Sequence, residues 1–310
     1  MQAELKSLIE RSDAIPSAPQ LVTRLLEITN DPNFKQPELV KLLSSDAGIA
    51  TDMLRLANSA LFSGGRKVAT LSEAITRLGT RRIRTLVIGR SMVDQLNTKG
   101  SKLLDASYYW RRSLGAAVLA ARFADLNSEL QRELSFMGGL LCDLGVPVLA
   151  RAMPQKYAPA AAAYGPLHGE HLLEKELACV GVTHPEVSAM ALERWSLPTA
   201  LVAAVRHHHA EPIPDDLPES AAALAAVIGA SSEIARFLCE SPNKQQIRAA
   251  CIWATARVGI DLSALGEVLK LVESDINELA ACLRVDVVPS RIYAIIAESI
   301  REAISEPVGA

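Results

Sequence analysis

The chain has 310 residues, of which 49% are apolar, 22% charged and 4% aromatic, with a formal net charge of −3. This composition excludes a disordered or low-complexity chain, and the acidic balance argues against duplex affinity built on many Lys/Arg–phosphate contacts. The five cysteines, Cys142, Cys179, Cys239, Cys251 and Cys282, are widely spaced and form no C-x-x-C, which argues against a disulfide framework or zinc knuckle and favours buried thiols in a reducing compartment.

Taken in chain order, the N-terminus MQAELKSLIERSD is charged and amphipathic and has no apolar signal core. Pro16 and Pro19 introduce a predicted helix with Leu21, Leu25, Leu26 and Ile28 on one side, stopped at Asn30-Asp31-Pro32. A short helix is predicted over 37–44. Ser45 or Asp46 then caps another that reaches about Asn58. Residues 59–70, with Gly64-Gly65, carry no helical period and are read as an ordered loop; they lack the preceding strand and following Lys-Ser/Thr of a phosphate loop. Helices over 72–78 and 80–96 follow, separated at Gly79. Asn97 to Ser101 reads as a linker.

Further helices are predicted near 104–126 and 129–150, the second with a kink or break at Pro147. A proline-containing break is placed at 154–166, then helices at 168–180, 184–195 and 198–209. Residues 211–219, with Pro212, Pro214 and Pro218, read as a rigid loop before a helix at 219–239. Ser241-Pro242-Asn243 marks a boundary, and three more helices fill 244–306. No segment alternates at strand period for more than about four residues, no repeat occurs at solenoid periods, and no uninterrupted apolar stretch approaches the ~18–20 residues of a membrane span. The expectation is an all-α cytoplasmic protein without membrane contact.

Within this helical series runs an ordered set of short blocks. Ile15-Pro16-Ser17-Ala18-Pro19 leads to Leu54-Arg55-Leu56-Ala57-Asn58-Ser59, then Ser72-Glu73-Ala74-Ile75 with Leu78-Gly79, and Tyr109-Trp110-Arg111-Arg112-Ser113. Gly138-Gly139-Leu140-Leu141-Cys142-Asp143-Leu144-Gly145, His184-Pro185-Glu186-Val187, Leu192 to Pro198 and Val205-Arg206-His207-His208-His209 complete it. In order and spacing they resemble the HDOD family, the HD-related output domains of bacterial signalling proteins, over roughly residues 15–240. The resemblance implies an N-terminal helical lobe (1–98), a degenerate HD-like helical core (99–240) and a C-terminal helical extension (241–310).

HD-superfamily hydrolases hold divalent metals with a first His, an adjacent His-Asp pair, later His residues and a closing Asp. Imidazole and carboxylate supply the N and O donors such ions take. Mapped onto that pattern, this chain has Arg112 in place of the first His and Cys142 in place of the His of the pair. Asp143 is retained, His184 and the His207/His208 pair match the later histidines, and Ser231 stands for the closing Asp. Arginine stays protonated and offers no lone pair, so Arg112 is expected to pair with Asp143, with no metal or other cofactor bound and no catalysis.

The other histidines, His168, His171 and His209, are read as helix-end or core residues. On one helix His207 and His208 point about 100° apart, so only one of them faces a given pocket. Cys142 is either a soft ligand or redox thiol, or a small buried apolar residue, with burial favoured. Trp110 and Trp195 read as core anchors, and Arg81, Arg82 and Arg84 as a solvated basic face.

The implied function is a regulatory module in a two-component or cyclic-nucleotide pathway. It would dock a signalling partner, such as a sensor kinase, response regulator or GGDEF/EAL protein, or hold a small ligand in the degenerate cavity. The alternatives are a metal-dependent HD-type phosphohydrolase using Asp143, His184 and His207 or His208, and a metal-free nucleotide sensor with Arg112 as phosphate clamp.

Overall fold

The computed structural model describes residues 19–58, 66–99, 103–127, 130–165, 172–240 and 244–283, with Val285 and Glu302. The described residues contain helices and connecting loops and no strand. Gly64-Gly65, His168, His171, the 241–243 boundary and the third C-terminal helix lie outside or almost wholly outside them.

The first lobe begins with α1 (Gln20–Asn30), α2 (Gln36–Ser44) and α3 (Ala47–Ala57). Their apolar stripes, Val22/Leu25/Leu26, Leu39/Leu43 and Ile49/Met53/Leu56, are buried together. Asp46 is the cap: its carboxylate accepts the Ile49 N–H at 3.0 Å. Helix α4 spans Leu71–Lys99 with one non-helical residue, Gly79 at φ 76°, a left-handed value that suits glycine. The predicted separation at Gly79 is thus present, as a sharp kink between two helical segments of α4. The linker expected from Asn97 is helical as far as Lys99. Two arginines of the predicted solvated face have partners: Arg82 pairs with Glu133 at 2.9 Å, and Arg84 donates to the Asn30 side chain.

The core is built on α5 (Ala106–Asp125), capped by Asp105 and packed most extensively against α6 (Arg132–Leu141) and α12 (Glu219–Cys239). Small residues let these backbones approach closely. A Cβ on Gly139 would meet the Ala116 carbonyl oxygen at 2.4 Å. Between α6 and α7 (Gly145–Ala152) the helix breaks at Cys142–Leu144, so the predicted break falls there and not at Pro147, which lies inside α7. The expected break at 154–166 is instead largely helical, α8 (Pro154–Ala163), because Pro154 occupies the first turn, where no backbone donor is needed.

Then come α9 (Leu172–Val180), α10 (His184–Arg194) and α11 (Thr199–Arg206), and after α12 the pair α13 (Lys244–Val258) and α14 (Leu262–Leu283). Trp110 and Trp195 are buried core residues. The two described stretches long and apolar enough to cross a membrane, Arg132–Ala152 and Glu219–Cys239, are mostly buried inside the fold. Helix α14 packs on α5 and also on α3: Arg122 pairs with Asp275, Ile276 lies near Gly115, and Arg55 donates to the Ala281 carbonyl at 2.9 Å.

Candidate ligand site in the helical core

The break between α6 and α7 places Asp143 at the centre of the core. Two polar contacts hold that break: the Ser188 hydroxyl donates to the Cys142 carbonyl and accepts the Gly145 N–H, both at 2.7 Å. Gly145 is required there, because a Cβ would lie 2.2 Å from the His184 carbonyl oxygen. Around Asp143 stand Arg112 from the middle of α5, His184 at the start of α10, and His208 and His209 from the turn after α11. Asp143, His184 and His208 are buried.

The two oxygens of Asp143 have different surroundings. Oδ2 lies 2.9 Å from Arg112 Nε, an ion pair whose N–H is not aligned on the oxygen, and accepts the Tyr164 hydroxyl at 3.0 Å. Arg112 also stacks its guanidinium 5.0 Å from the Tyr164 ring centroid. Oδ1 accepts no hydrogen bond; it faces His184 Nε2 at 3.5 Å and His208 Nε2 at 3.7 Å, and neither nitrogen has a hydrogen-bond partner.

The far side of each ring is anchored. His184 Nδ1–H donates to Glu176 Oε2 at 2.9 Å, while the His184 backbone N–H reaches the same oxygen at 2.8 Å. Glu176 in turn accepts from the Tyr157 hydroxyl at 2.6 Å. His208 Nδ1 lies 2.7 Å from the Val205 carbonyl, which only accepts, so Nδ1 carries the hydrogen and Nε2 presents its lone pair.

Charge follows this geometry. Burial opposes ionisation of Asp143, but Arg112, aided by His184 and His208, holds its carboxyl well below the usual range. Burial also opposes the Arg112 charge, and Asp143 outweighs it. Burial would depress His184, yet Glu176 and Asp143 lift it to about 9. His208 and His209 are lowered, chiefly by burial. The Cys142 thiol is pushed up by burial and by Asp143, and its Sγ lies 3.3 Å from the Gly139 carbonyl. It is a buried small residue, not a thiolate ligand.

Of the residues predicted from sequence, Arg112, Cys142, Asp143, His184 and His208 converge. His207 does not belong to the cluster; His209 does. The reason is local: α11 ends at Arg206, His207 is its C-cap, and helical angles do not govern the turn that follows. The His208 and His209 rings thus sit 4.0 Å apart at their centroids, both beside His184. Ser231 is buried with an unpaired hydroxyl, and the serine that Arg112 reaches is Ser232, at 3.4 Å.

Arg112 pairs with Asp143 as expected, through Oδ2 alone. It neutralises Oδ2 but leaves Oδ1 facing His184 Nε2 and His208 Nε2 with no hydrogen bond to either. These donors fit a divalent ion of the imidazole-binding class: Asp143, His184, His208 and His209 each offer a ligand atom, all within 4.8 Å of one another. Sequence reasoning also passed over Glu176, the anchor of His184. Its signal was present: Leu172, Glu176 and Val180 form one helical stripe, and all three are buried.

Residues 15–211, more than half of the chain, match the HDOD domain. The chain belongs to the HDOD domain family. This HDOD chain is 29% identical over 242 residues to an uncharacterized protein of Treponema pallidum (strain Nichols), covering 76% of itself and 45% of that protein, so it spans less than half of that relative's length. Its fold is similar to that of an HDOD domain protein of unknown function from Geobacter sulfurreducens, with a TM-score of 0.66 and 23% identity over 86% of this chain and 92% of the other. It is also similar to a protein of Shewanella amazonensis SB2B provisionally named a phosphohydrolase, with a TM-score of 0.68 and 22% identity over 88% and 99%. At these identities the likeness concerns the fold.

Proposed function

We propose that this HDOD chain is a cytoplasmic signal-transduction module that acts by binding and not by hydrolysis. The observation that carries the reading is the buried Arg112–Asp143 ion pair at 2.9 Å. Metal-assisted phosphoester hydrolysis needs an ion with an open position for water and, in two-metal sites, a second ion to clamp the leaving oxygen. Here the second oxygen of the central carboxylate is covered by a permanent cation and a tyrosine hydroxyl. The position suited to a second ion already holds a positive charge.

The same burial weakens the nucleotide-clamp alternative, since a phosphate would have to displace Asp143 from an arginine that is only 4% exposed. The module's output is docking to a signalling protein such as a sensor kinase, response regulator or GGDEF/EAL protein. The test is an assay of the full chain, supplied in turn with Mn2+, Fe2+ and Zn2+, against p-nitrophenyl phosphate and its bis-ester. The expected result is turnover no higher than in His184→Ala. Metal-dependent turnover that His184→Ala abolishes would overturn the reading.

A further inference from the structure

We infer that Asp143, His184, His208 and His209 form a closed, four-ligand site for one divalent transition-metal ion, and that this ion is the ligand the module reads. The inference rests on the binding reading above and names its ligand. Its starting point is a set of buried polar atoms converging on Asp143 Oδ1, none of which has a hydrogen-bond partner. Asp143 Oδ1 and His208 Nε2 both carry lone pairs, lie 3.7 Å apart, and have no hydrogen-bond partner in the buried core. His184 Nε2 faces the same oxygen at 3.5 Å and is likewise unpaired. Leaving several buried polar atoms without a partner is costly.

The spacing suits a bridging ion. Tetrahedral ligands at metal distances of about 2.0–2.1 Å are separated from one another by about 3.3 Å, close to the two observed separations. The four donor atoms lie within 4.8 Å of one another, wider than a tetrahedral shell, so the rings draw inward when the ion binds. Three imidazoles and one carboxylate select zinc and its neighbours over magnesium or calcium, which prefer all-oxygen spheres.

The surroundings also have the form of an outer shell. His184 is oriented by Glu176, which is itself held by Tyr157, and His208 is oriented by the Val205 carbonyl. A carboxylate behind a ligating histidine fixes its tautomer and raises its donor strength. Arg112 limits the site to one ion by occupying the other oxygen of Asp143. Four protein donors leave no open position, which is the pattern of a structural or sensing site and not of a hydrolytic one. Entry is from the side of His209, the half-buried member of the set, which lines a surface groove with Glu211, Glu233, Phe237 and Trp253.

The test uses the full chain, stripped with a chelator and titrated with Zn2+ by calorimetry, with elemental analysis of the loaded protein. Co2+ serves as a spectroscopic substitute. The expected result is one ion per chain and the intense visible absorption of tetrahedral Co2+. His209→Ala, at the rim, should lower affinity at least tenfold and change the Co2+ spectrum, while His207→Ala should do neither. Glu176→Gln, a change in a positioning residue, should weaken binding about 10–100-fold. Circular dichroism establishes that each variant is folded, and His209→Ala carries the test if changes at the buried ligands prevent folding.

Absence of saturable binding, two ions per chain, or unchanged affinity in His209→Ala would overturn the inference. The two claims fail separately. An ion that supports hydrolysis keeps the site and removes the binding-only function; a chain that takes no ion and hydrolyses nothing removes the site alone.

Discussion

Replacing Arg112 with methionine removes the positive partner of a carboxylate that is 2% exposed, while the unbranched side chain keeps much of the buried volume. At 2.9 Å and an effective dielectric constant near 20, the direct attraction is about 6 kcal/mol. Desolvation of the pair offsets part of this, and removing one member of a buried pair costs about 3–5 kcal/mol because the other charge is stranded. Tyr164 still donates to Asp143 Oδ2 and His184 still faces Oδ1. The expected loss is therefore at the lower end, about 3 kcal/mol.

Urea unfolding of chelator-treated wild type, Arg112→Met, Asp143→Asn and the double variant gives the coupling directly. The double variant should recover a substantial part of the Arg112→Met loss, since no unpaired charge is left. A single-variant loss below about 1 kcal/mol, in the range of exposed ion pairs, would refute the reasoning. So would double-variant losses that simply add.

If the ion binds as inferred, Arg112→Met should bind Zn2+ more tightly than wild type by calorimetry, because a cation next to the shared carboxylate is gone. Saturating Zn2+ at 100 times its dissociation constant should stabilise the wild-type chain by about 2.7 kcal/mol, measured as a shift in the urea midpoint that chelator reverses. Gly145→Ala should cost several kcal/mol or prevent folding, since its Cβ meets backbone and not a flexible side chain; soluble yield and thermal melting report it. Tyr157→Phe, which removes a 2.6 Å bond to buried Glu176, should cost about 1–3 kcal/mol in urea unfolding. Asp275 is shifted upward by burial despite Arg122, so the folded chain holds its proton more tightly than the unfolded chain. That group's contribution to stability then falls as pH rises through the window above the ordinary carboxylate value, and urea midpoints of Asp275→Asn across that window should lack this component.

The helices were legible because their apolar residues recur at helical period, and the Asp46 cap because a short carboxylate there meets a free backbone N–H. The break at residues 142–144 was less so: Pro147 is the stronger local signal, but the Ser188 bridge that holds the real break comes from a residue 46 positions away from its Cys142 acceptor. Tertiary contacts of that kind leave no periodic trace. Arg112, Asp143 and His184 were located through family blocks. His209 was lost by extending a helix three residues too far, which turned three histidines in a tight turn into residues 100° apart. Glu176 was visible as a carboxylate on an apolar stripe, yet its role depends on the backbone and ring of His184, which only folding brings together.

Helix α14 touches both α3 of the first lobe and α5 of the core, while α4 joins the same two regions through its contact with α6. The lobes are thus braced by two struts in parallel, one covalently continuous with the lobe and one returning from the far end of the sequence. A single strut permits a swing about its end; two require both to slip together. Arg55 holds the α14 backbone to the first lobe, and the Arg122–Asp275 pair holds the same helix to the core. In mechanical terms α14 is a cross-member between the two.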